Sequence, residues 1–287
     1  MHKTSSFLIS ILLFIVTAIN AQTKTIRLIV RGDDMGFSHS GNEALIKCYK
    51  EGVERSIEVI TPSPWFPEAV KMLEENPGID VGIHLVLTSE WDNIKWRPLT
   101  DCPSLKDDDG YFYPMIWPNK NYPNRALLQH NWKLEEIEKE WRAQIELALK
   151  KIPRLSHISG HMGCTNMNDS VNVLARKLAK EYKIDIEPAE LNAKYISYDE
   201  PHKTSEEKIQ SFISMLNKLS PDTAYIFVEH PGLNTPELQA IHHIGYENVA
   251  TDRQGVTDMF TDTRIKEIIR KKGMELISYK DLRKQSE

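Results

Sequence analysis

Four polar clusters stand in or at the ends of otherwise apolar segments: Asp33-Asp34, His84, His157 with His161, and Glu229-His230. A charge or an imidazole in an apolar strand is costly without a partner. Adjacent carboxylates repel, so one of Asp33 and Asp34 is expected to be held by a cation or to share a proton. One Asp with two His is a common ligand set for a divalent metal that keeps positions open for water and substrate. A second Asp then remains as a base, and a further His as an acid. Each cluster alone has an ordinary explanation, either an Asp-Gly turn or a core histidine with satisfied ring nitrogens. Four clusters on four strands are harder to explain that way.

The segments around these residues alternate. Strands are expected at residues 25–31, 56–61, 79–87, 155–160, 184–186, 224–229, 247–251 and 274–279. Between them, helical periodicity marks residues 67–75, 134–151, 171–182, 205–219, 235–243 and 258–272. A further helix opens near Ser40, where Ser40 and Glu43 fit a capping box, and ends at Gly52. Alternation of this kind indicates parallel βα units with strands buried on both faces. Seven or eight strands fit a single distorted (β/α) barrel, with an open doubly wound sheet as the alternative. In a parallel sheet all four polar clusters point to one rim. Residues 89–131 break the rhythm and are rich in rings, including Trp91, Trp96, Tyr111, Phe112, Tyr113, Trp117 and Tyr122. Such rings either stack on flat ligands or pack under the loop.

The chain has 287 residues and a net charge of −5, which gives no argument for a nucleic-acid partner. Lys3, an apolar run over residues 7–16 and a small residue at Ala21 have the layout of a secretory signal peptide over residues 1–21. That run is short for a membrane span. Residues 25–287 are then expected as one exported domain, secreted or periplasmic, with no stable membrane association. Cys48, Cys102 and Cys164 form no framework, although one bridge is compatible with the count. No phosphate-binding glycine loop and no GxSxG elbow is present.

The segments Gly32-Asp33-Asp34-Met35-Gly36, Val81-Gly82-Ile83-His84-Leu85-Val86-Leu87-Thr88, His157-Ile158-Ser159-Gly160-His161 and Glu229-His230-Pro231-Gly232 resemble, in order and spacing, the YdjC-like carbohydrate deacetylases, which include chitooligosaccharide deacetylases. The resemblance runs from about Ile26 to Leu282. It implies an α/β fold, a single deformed (β/α) barrel of about seven strands that is polysaccharide-deacetylase-like. It implies removal of N-acetyl groups from amino sugars or short oligosaccharides, with zinc or magnesium as the divalent cofactor. It further implies Asp34, His84 and His161 as metal ligands, Asp33 as the general base and His230 as the acid that protonates the leaving amine.

The chain departs from the family pattern in two places. Ser159 stands where the family usually has an Asp, and Met162, Gly163 and Cys164 follow where further imidazoles are usual. The departure implies weakened support for the ligands or altered substrate contact. Arg31-Gly32 replaces a usual Asn-Ala before the Asp pair. Arg31 is read as a strand-end ion pair in preference to a substrate contact. Asp252 and Arg253 are read as a capped turn ahead of a substrate-binding role. His39, His130, His157 and His202 are expected to be structural or superficial, with His157 a candidate to orient His161. Two rival functions stay open, namely hydrolysis of another amide, ester or phosphoester by the same metal site, and sugar binding without turnover. The sequence leaves the oligomeric state unknown.

Overall fold

The structure, a computed structural model, describes residues 25–221 and 223–283. The signal peptide expected over residues 1–21 lies outside the described residues.

Seven strands form one sheet: β1 (Arg27–Met35), β2 (Ser56–Val59), β3 (Asp80–Leu85), β4 (His157–Gly160), β5 (Ala193–Ile196), β6 (Ala224–Glu229) and β7 (Glu275–Leu276). The order is β4-β3-β2-β1-β6-β5, with β7 also on β1. Every pairing is parallel. Leu28, Ile29 and Val30 of β1 are fully buried, as the most central strand requires. Among the described residues β4 and β5 do not pair, so the barrel stays open at that seam. This is the expected α/β fold, a deformed (β/α) barrel.

Helices separate most of the strands: α1 (His39–Glu51), α2 (Phe66–Glu75), α3 (Leu134–Lys151), α4 (Asp169–Glu181), α5 (Ser205–Lys218), α6 (Pro236–Gln239), α7 (Val249–Thr261), α8 (Thr263–Lys271) and α9 (Tyr279–Arg283). The amphipathic stripe of α3 buries Ile137, Trp141, Ile145 and Ala148 in a core shared with β2, β3, α2 and α4. A second core joins β1 and β6 to α5, α7 and α8 through residues such as Phe212, Phe227 and Phe260.

Several expected elements fall elsewhere. The fifth strand is Ala193–Ile196, not residues 184–186. It is an edge strand whose middle residues, Lys194 and Tyr195, are exposed, so it lacks the apolar run of its neighbours. Ile184 and Ile186 are buried from a loop. Residues 247–251 form no strand, because Val249 and Ala250 open α7 with their side chains buried. The helix expected over residues 258–272 is two helices, broken at Asp262, whose carboxylate accepts from the Arg264 N–H at 2.7 Å and caps α8. Residues 235–243 are helical only over Pro236–Gln239. The cap of α1 is Ser38, which accepts from the Gly41 N–H at 2.9 Å. Ser40 instead donates to Glu237. All three cysteines are buried free thiols. Among the described residues no helix is long and apolar enough to cross a membrane.

Residues 86–133 link β3 to α3 without a strand. Trp91, Trp96, Phe112 and Tyr122 are buried there, so most of the rings pack the loop against the barrel. Glu140 of α3 ties it down by accepting from the N–H groups of Leu99 (3.0 Å) and Thr100 (2.9 Å). Trp117 is the exception at 46% exposed.

Candidate functional site

Parallel pairing brings the carboxyl ends of β1, β3, β4 and β6 to one rim. A cleft of about 390 Å³ opens there, and Asp33, Asp34, His84, His161 and His230 all line it. The structure thus brings together the five residues that the family resemblance marks for chemistry, whereas His157 and Glu229 do not line the cleft.

In a regular strand Asp33 and Asp34 face opposite ways. Here three steps along β1, from Gly32 to Met35, face two along β2, from Ile57 to Val59. Asp34 takes a left-handed conformation with φ 72°. Such a bulge re-aims a side chain, and the two carboxylates reach the same cleft. A non-glycine residue held left-handed costs about 1 kcal/mol or more, a strain that gathers at functional sites.

Gly32 and Arg31 explain how the strand enters this bulge. A side chain at Gly32 would collide with Leu45 and with Glu54 Oε2. Arg31 grips Asp33 with both arms, Nε to Oδ1 at 2.7 Å and Nη2 to Oδ2 at 2.9 Å, and donates from Nη1 to the Tyr279 hydroxyl at 3.0 Å. This is the strand-end ion pair expected of Arg31, and it fixes the orientation of Asp33.

Asp34, His84 and His161 each offer one ligand atom, and these atoms lie within 4.8 Å of one another. His84 Nε2 is 3.5 Å and His161 Nδ1 3.1 Å from Asp34 Oδ1. That oxygen is fully buried and, apart from its ion pairs with these two rings, has no hydrogen-bond partner. A divalent cation among the three atoms would displace the proton His161 holds there and be shared by all three. One carboxylate and two imidazoles are a fitting donor set for a divalent metal.

Each of these three side chains is held from behind. Arg253 Nη2 donates to the other Asp34 oxygen, Oδ2, at 2.8 Å, while its guanidinium carbon lies 4.6 Å from the Phe37 ring centre and 5.2 Å from that of Trp91. This geometry corrects the capped-turn reading of Arg253. His161 Nε2 donates to Glu90 Oε2 at 2.9 Å, so Nδ1 faces Asp34. His84 Nδ1 donates to Ser159 Oγ at 2.7 Å, so Nε2 carries the lone pair that faces the cluster. His157 does not orient His161. It bonds Ser156 and Glu58 and stacks on Tyr279. Asp252, also read as part of a turn, accepts from the Tyr246 hydroxyl at 2.6 Å and pairs with Lys208.

The field around the three side chains follows from these contacts. Burial pushes His84 down to about 4, with the nearby His161 adding to the effect, and this keeps the ring neutral. Burial also works against charge on His161, but Glu90 and Asp34 on either side outweigh it and raise the ring to about 10. Burial would raise Asp34, yet His161, His230 and Arg253 hold it well below the usual carboxylate range.

His230 follows β6 and stands at the mouth, with its side chain 39% exposed. Its Nε2 is 3.9 Å from Asp34 Oδ2 and its Nδ1 3.7 Å from Glu229 Oε2. Burial lowers its affinity for a proton, but Asp34 and Glu229 more than offset that and raise the group above an ordinary histidine.

Sequence reasoning missed Glu58 and Glu90. Glu58 had a visible signal, an acid inside the apolar run Ser56-Ile57-Glu58-Val59-Ile60. Glu90 had none, because its partner lies 71 residues away.

Comparison with known proteins follows the same lines. The sequence profile of the YdjC-like protein family matches residues 27–271. The carbohydrate deacetylase of Enterococcus faecalis is 25% identical over 270 residues, covering 89% of this chain and 98% of that one. The carbohydrate deacetylase of Thermus thermophilus is 30% identical over 235 residues, covering 75% and 80%. A crystal structure from Enterococcus faecalis, provisionally titled a cellobiose-phosphate cleavage protein, superposes with a TM-score of 0.70 at 25% identity, over 90% of this chain and 99% of the other.

Proposed function

The chain belongs to the YdjC-like family, and from that premise we propose that it is a metal-dependent hydrolase that removes N-acetyl groups from an amino sugar or short oligosaccharide. The observation that carries this reading is the convergence of Asp34, His84 and His161, one ligand atom each within 4.8 Å of the others, with Asp33 and His230 on the same cleft.

Asp34, His84 and His161 would hold the cation, and two imidazoles among three donors favour zinc over magnesium. A divalent cation held there supplies Lewis acidity, polarising the acetyl carbonyl and making water a better acid. Asp33, clamped by Arg31, takes the proton of the attacking water as its oxygen bonds to the acyl carbon. His230 gives its proton to the amide nitrogen as the C–N bond breaks, since an amine leaves only when protonated. Its raised affinity for a proton suits that role. Export to the periplasm or beyond is proposed on the pattern of residues 1–21 alone. It predicts a mature protein beginning at Gln22 outside the bacterial cytoplasm, and N-terminal sequencing of the exported chain checks this.

Acetate release from N-acetylglucosamine and from chitooligosaccharides, measured with zinc or magnesium and after chelation, tests the activity. Release that needs metal supports the reading. No acetate from any N-acetyl sugar, in protein shown to hold metal, overturns it.

A further inference from the structure

His84 faces the ligand cluster with Nε2, so its orientation depends on what holds Nδ1. Ser159 Oγ does so at 2.7 Å. Ser159 lies on β4 directly opposite His84 on β3. A neutral hydroxyl is a modest support, but this one passes its own proton on. Ser159 Oγ donates to Glu58 Oε2 at 2.5 Å.

Glu58 sits on β2, two strands from β4 and fully buried. Its carboxylate reaches β4 because β3 carries no side chain in the way. A Cβ at Gly82 would collide with both Glu58 oxygens and with His157 Nε2. The second oxygen, Oε1, accepts from His157 Nε2 at 2.5 Å and has Arg31 Nε 3.9 Å away. A carboxylate needed only to solvate His157 would use one oxygen. Glu58 uses both, and the other one ends on a metal-facing imidazole.

We propose that Glu58 is the positioning carboxylate of the metal centre, acting on His84 through the Ser159 hydroxyl across the opening left by Gly82. This rests on the reading of Asp34, His84 and His161 as metal ligands. The chain of donors runs from His84 Nδ1–H to Ser159 Oγ and from Ser159 O–H to Glu58, which fixes the His84 tautomer and raises the basicity of Nε2. The support that Ser159 alone seemed to forfeit at this position is restored from β2.

The test is zinc affinity of the metal-free protein, by isothermal titration calorimetry at one pH, with thermal melts to show that each variant folds. Glu58→Gln and Ser159→Ala are each expected to weaken zinc binding by about 10–100-fold. The two together lose no more than either alone, because they cut one path. Adding Ser159→Asp to Glu58→Gln restores affinity, by placing a carboxylate directly against Nδ1. Should Glu58→Gln fail to fold, Ser159→Ala carries the test, since Ser159 is only partly buried. Folded variants with the parent's affinity, additive losses, or no rescue by Ser159→Asp overturn the proposal while the metal centre stands. A parent chain that binds no zinc refutes the metal centre and this relay with it.

Discussion

Strands β1–β4 and the segments after them carry Asp33 and three almost wholly buried candidate ligands, Asp34, His84 and His161, whereas His230 follows β6 with 39% of its side chain exposed. Behind each candidate ligand is a hydrogen-bonded partner, Arg253, Ser159 or Glu90, at 2.7–2.9 Å. The nearest ionic partners of the His230 side chain among the described residues are carboxylates at 3.7 and 3.9 Å. The contrast follows from the two tasks. A metal is held by atoms fixed in advance, and their partners must be buried to fix them. An acid must meet the substrate at the mouth, and apo geometry there is often loose.

This division can be broken from either side. His161→Ala removes a ligand and leaves Asp34 and Glu90 facing each other without a cation between them, so zinc binding is lost and acetate release falls to background. That is the largest effect expected, read by titration calorimetry and a coupled acetate assay. His230→Ala should lower kcat by about 10²–10⁴-fold while zinc affinity stays at the parent's value. A loss of zinc binding in that variant would place His230 among the ligands and erase the contrast. Glu90→Gln keeps the shape but removes the charge behind His161, and should weaken zinc binding by about 10–100-fold. The smallest effect concerns pH. A proton held above the ordinary histidine range keeps His230 an acid past about pH 6.5, so the alkaline limb of kcat/KM lies above that value. Glu229 is one source of that rise, and in Glu229→Gln the limb should move to lower pH.

The two halves also differ in how much their residues disclose. In the first half, apolar and β-branched runs mark β1–β3, and a costly Asp or His in β1, in β3 and just after β4 marks the site. In the second half, β5 is a four-residue edge strand with Lys194 and Tyr195 in water, which hides it. Of residues 247–251, Val249–Thr251 instead open the first turn of α7, where Val249 and Ala250 find a core. The candidate ligands were legible because their own types carry the chemistry. Their partners were not, because a hydrogen bond from His84 through Ser159 to Glu58 spans three strands and 101 residues between its last two members. Ser159 read as a loss in the sequence, and only the space above Gly82 shows what stands behind it. Arg31 and Gly32 became intelligible in the same way, one as the clamp on Asp33 and the other as room for Leu45 and Glu54.

The central claim is that Asp34, His84 and His161 form a metal centre. Anomalous diffraction from zinc-loaded crystals tests it most directly. A single strong peak with Asp34 Oδ1, His84 Nε2 and His161 Nδ1 at about 2.0–2.2 Å is the predicted result. A peak elsewhere, or none at this cleft in protein that has taken up zinc, would contradict it.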